Sequence, residues 1–358
     1  MTNDVASFAR NRTGVPQDPD LVRVVLHELT GDDARAAADL AMTCAARYGT
    51  VQNPEFHHNV TVIAQDLPKA VREDANRVRL ADRLHAFQIC GHRIDEDRLE
   101  PTPRHWRDAD TEGSRPYGFL LMLYGALVGD AIGWATQQDG RIVTDVLPIA
   151  GMEDSLVSAG STTELAWHTE DAFSPHRADH VGLLCLRSPD LTATTLAYLD
   201  GQQLPGDVAE VLRQPRFHVL PDASHTSEFS ATDARTGTTA FDQVDRFRSE
   251  PPLVPVLDGA QEAPVLRIDR DFMVAPADDE EAGRALRVLV DLVDRSTYEL
   301  PLAPGDVCFI DNRNVAHGRR PFLPRYDGRD RWLKRVNTVR DLRRTRSGRA
   351  TASTRVIG

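Results

Sequence analysis

Hydrophobic and polar positions follow two different periods along this chain, and the change between them falls near residue 141. Before it, three- and four-residue steps dominate. Ala37, Leu40, Ala41, Cys44, Ala45 and Tyr48 recur at helical spacing, with acids at the start of the run and Gly49 behind it, which predicts a helix over residues 32–48. A second helix is expected over 67–80. The apolar run 117–132, with Pro116 where a first-turn proline belongs, reads as a buried helix. Short strands are expected at 22–27 and 85–90, and 101–113, punctuated by Pro and Gly, reads as loop.

From residue 141 onward the pattern becomes short β-branched runs broken by Gly, Pro and Asp. Strands are expected at 141–148, 156–158, 165–168, 181–187, 194–198, 217–220, 265–268, 298–302, 307–310 and 331–339. Many short strands behind an opening helical section predict a mainly β protein with flanking α-helices, built on a sandwich or jelly-roll core. One long interruption, 222–262, is polar and irregular and is expected to be a lid insertion. A further helix is expected over 279–295, with Leu286, Leu289, Val290 and Val293 on one face. No internal repeat or linker divides the chain, so a single domain is expected over 31–358 behind an irregular arm at 1–30.

Composition narrows the classes. With 41% apolar and 27% charged residues the usage is that of a globular protein. Lys and Arg number 42 against 54 Asp and Glu, a net charge of −12, so neither a nucleic-acid nor an anionic-membrane partner has global support. Residues 313–349 carry thirteen Lys and Arg against three acids, which reads mostly as a solvated basic surface. Cys44, Cys90, Cys185 and Cys308 are widely spaced with no C-x-x-C pair, which suggests neither a disulfide framework nor a zinc knuckle. Residues 1–12 are polar and lack the apolar core of a signal peptide, and the run 117–128 is too short to span a bilayer. Both point to a cytoplasmic protein.

The candidate chemistry centres on Trp167-His168-Thr169-Glu170-Asp171. In an extended strand His168 and Glu170 share a face while Thr169 points away. A second imidazole is available from His317, placed just beyond the apolar strand 307–310. Two histidines and one carboxylate on one side of a metal leave the opposite positions open, as in non-haem Fe(II) oxygenases. The same three ligands also suit zinc with a bound water, and a metal-free module binding basic amino acids is a third option. The helical H-E-x-x-H pattern of zinc hydrolases is missing. Arg331 and Arg335, four apart in an expected strand, would both point inward beside Leu333, suited to two-pronged binding of carboxylates.

The run H-T-E-D, then G-D-V-x-F-I-D-N-x-x-x-x-H-G-R, then R-Y-D-G-R-D-R-W-L-K-R resembles the clavaminate-synthase-like family of Fe(II)/2-oxoglutarate oxygenases, and within it the arginine oxygenases of antibiotic biosynthesis. The likeness covers the chain from about residue 32 onward and is weakest in the 222–262 insertion. It implies a double-stranded β-helix (jelly-roll) core, and iron held by His168, Glu170 and His317. It implies 2-oxoglutarate bound by Arg331 with help from Thr195, and O2 as oxidant. It further implies free L-arginine as substrate, with its α-carboxylate on Arg335 and Ser158 and its α-amino group near Gln137 and Glu170. Asp222, Asp269 and Asp271 would form the far end of the pocket; clustered like charges need a cation, and a guanidinium is one. The resemblance points first to hydroxylation at C3, with C4–C5 desaturation or double hydroxylation compatible with the same residues. Oligomeric state is left open.

Overall fold

A computed structural model of the chain describes residues 22–226, 238–261 and 263–358. The expected arm lies almost entirely outside these, as does residues 227–237 of the expected lid. Strand β1 (Val22–Glu28) is followed by three helices, α1 (Gly31–Tyr48), α2 (Pro54–Ile63) and α3 (Lys69–Leu80), and by β2 (Leu84–Cys90). Helix α4 (Arg115–Val128) precedes β3 (Asp130–Trp134), β4 (Val143–Val146), β5 (Leu165–His168), β6 (His180–Arg187) and β7 (Thr194–Tyr198). Next come α5 (Gly206–Leu212), β8 (His218–Val219), α6 (Thr238–Ser249), β9 (Leu257–Gly259), β10 (Pro264–Leu266), β11 (Met273–Val274) and α7 (Glu280–Arg295). The chain closes with β12 (Tyr298–Leu300), β13 (Val307–Asp311), β14 (Val315–Arg319), β15 (Trp332–Val339) and β16 (Val356–Ile357).

Two sheets face one another. The larger runs β1-β2-β13-β6-β15-β3-β16, with β4 also paired to β15; the smaller runs β12-β7-β14-β5. The continuous apolar runs of β6 and β13 follow from this arrangement, because both faces of the large sheet are covered. Leu184, Leu186, Val307 and Phe309 pack with the helices outside, whereas Leu183, Cys185, Cys308 and Ile310 fill the space between the sheets. Helix α4 is buried along most of its length because it lies between the large sheet and helices α1, α2 and α3. On the other side, α5 and α7 pack against each other and, with the short ribbons β8/β11 and β9/β10, cover the outside of the small sheet.

Several expectations change. The apolar run 117–132 is not one helix: Gly129 ends α4 and Asp130 starts β3, which pairs with β15. A strand buried on both faces and a buried helix look alike to periodicity. Helix α2, capped by Asn53 with Pro54 in its first turn, had no expectation of its own. Residues 156–158 form bends and turns rather than a strand. Within 222–262, the described parts hold helix α6 and strand β9, so the insertion is not irregular throughout. No helix among the described residues is long and apolar enough to cross a membrane, and all four cysteines are free thiols.

Candidate metal centre and substrate pocket

His317 lies just beyond the apolar strand β13, as expected, and is itself part of the next strand, β14. The chain reverses through Asn312-Arg313-Asn314 after β13 and returns as β14, which places His317 directly opposite His168 of β5. Their ring centroids are 4.5 Å apart. The two strands approach closely at Gly318, where a Cβ would overlap the Leu165 carbonyl oxygen, so a side chain there would force them apart.

Glu170 follows β5, and the extended trace continues to it because the Thr169 N–H donates to the Ile268 carbonyl at 2.8 Å. The Nε2 atoms of His168 and His317 lie 3.7 and 3.4 Å from the same carboxylate oxygen, Oε2 of Glu170. One ligand atom from each of the three residues falls within 4.8 Å of the others. Nδ1 of His168 is 3.0 Å from the Ala166 carbonyl, which takes the ring N–H there and turns Nε2 toward Glu170 and the pocket. Asn312, fully buried, accepts the Glu170 N–H at 2.6 Å and donates to the carbonyls of Glu170 at 3.1 Å and Ala178 at 2.9 Å. It ties the turn between β13 and β14 to the loop that presents the carboxylate.

Burial works against charge on Glu170, yet Arg335 and the two histidines hold its carboxyl well below the usual range. Burial also opposes charge on His168, but the Glu170 hydrogen bond and the Asp269 carboxylate prevail and raise it to about 9. His317, desolvated and facing His168, is pushed down. An ionised carboxylate and two imidazoles converging from one side make a donor set that fits a divalent iron and leaves its other positions toward the pocket. Glu170 divides its two oxygens: Oε2 faces the histidines, and Oε1 accepts from Arg335 Nη1 at 2.7 Å.

The pocket beside this cluster opens to solvent and, counted with the solvent at its mouth, spans about 840 Å³. Arg331 and Arg335 both line it, but their surroundings differ. Arg335 also donates to Gln137 Oε1 at 3.2 Å and Thr144 Oγ1 at 3.3 Å. Arg331 is only 6% exposed, its Nε has no partner, and burial pushes it down to about 10. Beside it Arg319 spends its guanidinium on the carbonyls of Gly160, Thr163 and Arg320, and burial, then Arg331, lowers it to about 9. Two buried cations with no carboxylate between them, among the described residues, form a site for an anion. Arg331 and the His168-Glu170-His317 cluster line the same pocket, so one dicarboxylate such as 2-oxoglutarate has a cation and a metal centre within one cavity.

Gln137, Ser158, Asp222 and Asp269 also line the pocket. Burial, against the pull of His168, pushes Asp269 up to about 6; its Oδ1 accepts the N–H groups of Asp271 and Phe272. That turn is why Asp271 does not stand beside Asp269: the segment is not extended there, and Asp271 points to solvent, away from the pocket wall. Thr195 is likewise not on the wall. In β7 alternate residues face opposite ways, and Thr194 takes the pocket side. Among the lining residues without a sequence-based expectation are His225 and Asp171. His225 pairs with Asp171 at 3.0 Å and with Thr136 Oγ1 at 2.8 Å, and Asp171 also accepts from Trp134 Nε1 at 2.5 Å. His225 sits in a polar stretch with no periodicity to mark it.

Comparisons with known proteins agree with this geometry. Residues 128–337, more than half of the chain, match the model of the taurine catabolism dioxygenase TauD, TfdA family. Enduracididine beta-hydroxylase of Streptomyces hygroscopicus is 38% identical over 93% of this chain and 99% of that protein. L-ornithine/L-arginine 3-hydroxylase of Catenulispora acidiphila is 37% identical over 92% of this chain and 98% of its own length. Among solved structures, the non-heme iron oxygenase OrfP in complex with Fe, succinate and (3S)-hydroxy-L-Arg superposes with a TM-score of 0.90 at 42% identity, covering 93% of this chain and 100% of OrfP. OrfP has also been solved with Fe and alpha-ketoglutaric acid and with Fe and L-Arg. With the jelly-roll fold, the histidine-carboxylate-histidine cluster and more than half of the chain matched, this protein belongs to the TauD, TfdA dioxygenase family.

Proposed function

We propose that this protein hydroxylates free L-arginine at C3, using Fe(II), 2-oxoglutarate and O2. The observation that carries the substrate is the pair of acids, Asp222 and Asp269, on the wall of the pocket that also holds the His168-Glu170-His317 cluster. Both carboxylates are half-buried, burial raises Asp269 against the pull of His168, and a guanidinium would bring a further charge and a planar set of donors to them. The names of two relatives support a basic amino-acid substrate: one is an L-ornithine/L-arginine 3-hydroxylase and the other an enduracididine beta-hydroxylase.

In this reading His168, Glu170 and His317 hold iron and Arg331 holds the distal carboxylate of 2-oxoglutarate. The bound metal with 2-oxoglutarate and O2 supplies the oxidising equivalents, releasing succinate and CO2. The protein's own work is placement. Arg335, with Gln137 and Ser158, takes the α-carboxylate and α-amino end, and Asp222 and Asp269 take the guanidinium. Pinning both ends decides which carbon faces the metal, and orientation of that kind is worth orders of magnitude in rate. Asp271 can join only if the 270–272 turn rearranges on binding. Residues 31–358 act as one oxygenase domain, and the four free thiols favour a cytoplasmic setting.

The test is anaerobic loading with Fe(II) and 2-oxoglutarate, exposure to O2 with a panel of free basic amino acids, and mass spectrometry of the products. Arginine gaining one oxygen, with the hydroxyl at C3 by NMR, is expected. Loss of two hydrogens would replace hydroxylation by desaturation, and metal-dependent hydrolysis without 2-oxoglutarate consumption would overturn the assignment.

A further inference from the structure

Thr169 stands between two metal ligands and points away from them, a position that the ligand role leaves unexplained. Its hydroxyl and its backbone N–H are spent on a single neighbour. The Thr169 N–H donates to the Ile268 carbonyl at 2.8 Å, its Oγ1 donates to the same carbonyl at 3.1 Å, and the Ile268 N–H donates to Oγ1 at 3.2 Å. Thr169 is 1% exposed and Ile268 is fully buried. The next residue along that segment is Asp269, which forms an antiparallel bridge with His168. On the following rung the Arg270 N–H donates to the Trp167 carbonyl at 3.2 Å. An outer brace completes the pairing: Asp294 of α7 accepts from Trp167 Nε1 at 2.7 Å and from Arg270 Nε and Nη2 at 3.0 Å each.

The metal-binding strand and the acid of the pocket's far end are therefore carried on two paired segments whose register is locked by Thr169 inside and Asp294 outside. We propose that this clamp sets the site of oxidation: Thr169 is a positioning residue that fixes the distance between the metal centre and the guanidinium anchor Asp269, and so which substrate carbon faces the oxidant. The inference deepens the arginine reading and rests on it. The length scale makes it a demanding device. A slip of one residue along a strand moves a side chain by about 3.3 Å, while neighbouring carbons are only about 1.5 Å apart. A shift well short of one residue already presents the adjacent carbon.

The test replaces the hydroxyl without changing the shape of the side chain. Thr169→Val, Thr169→Ser and Asp294→Asn are compared with the parent for iron content, KM for 2-oxoglutarate, product per succinate formed, and position of oxidation by NMR. In Thr169→Val iron content and KM are expected within about threefold of the parent, while product per succinate falls by about threefold or more. Part of its product is expected to be oxidised at a neighbouring carbon or desaturated. Thr169→Ser, which keeps the hydroxyl, is expected to restore the parent pattern, and Asp294→Asn to show the Val pattern more weakly. Where Thr169→Val does not fold, Asp294→Asn alone decides. Parent-like coupling and position in the variants, or iron loss with the position unchanged, overturns the inference. Failure of the parent to oxidise arginine overturns the substrate reading itself, a separate outcome.

Discussion

Arg331 offers the sharpest perturbation, because its burial has two consequences of opposite sign. The residue is 6% exposed, its Nε has no hydrogen-bond partner among the described residues, and burial lowers it from 12.5 to about 10. At about 1.4 kcal/mol per unit, the ligand-free protein carries on the order of 3 kcal/mol of strain at this one cation. The folded-state value of a base is depressed here, so the penalty is fully present below about pH 10, including neutral pH, and fades only as the pH rises toward 12.5. Arg331→Met removes that charge while keeping most of the apolar stem. The ligand-free variant is thus expected to melt at the same temperature as the parent or a few degrees above it. Binding of 2-oxoglutarate moves the other way. Losing a two-pronged, charge-assisted contact in a buried site costs roughly 2–5 kcal/mol, which weakens the co-substrate by about 30-fold to several thousandfold. Thermal melts of the metal-loaded protein, with and without 2-oxoglutarate, read both effects in one experiment. A variant that melts several degrees lower without ligand, or that binds 2-oxoglutarate as the parent does, would refute the reasoning.

Asp269→Ala should raise the KM for arginine by about 100-fold or more with little change for 2-oxoglutarate, whereas exposed Asp271 should change arginine KM by less than about threefold when replaced by Ala; steady-state kinetics with each substrate varied separates them. His317→Ala should leave the protein folded but without stoichiometric iron and with product formation down by at least about a thousandfold, checked by metal analysis and single-turnover product counts. Asn312→Ala leaves the buried Glu170 N–H and two carbonyls without their partner, and should lower stability by about 2–4 kcal/mol in denaturant melts. Chelating the metal should abolish succinate formation, with activity returning on Fe(II) and not on Zn(II).

Much of this protein is legible from sequence alone, because strand and helix periods are local. The short apolar runs 165–168 and 307–310 and the helical steps of 32–48 and 279–295 all correspond to observed elements. Arg331, Leu333 and Arg335 do reach one pocket, since spacing along a strand decides the face by itself. Spacing failed where the backbone leaves the strand. Asp269 and Asp271 are two apart, but a turn parts them; the role of Thr195 rested on the resemblance alone, and within β7 it is the neighbouring Thr194 that lines the pocket. What only the tertiary structure decided is the meeting of distant segments. The rung that sets His317 opposite His168, the Arg335 contact to Glu170 and the Thr169 clamp on Ile268 join residues 99 to 165 positions apart, and the isolation of Arg331 Nε depends on which described residues surround it. Chemistry-bearing side chains were written in the sequence, but their distances and partners exist only once two sheets close around a shared interior.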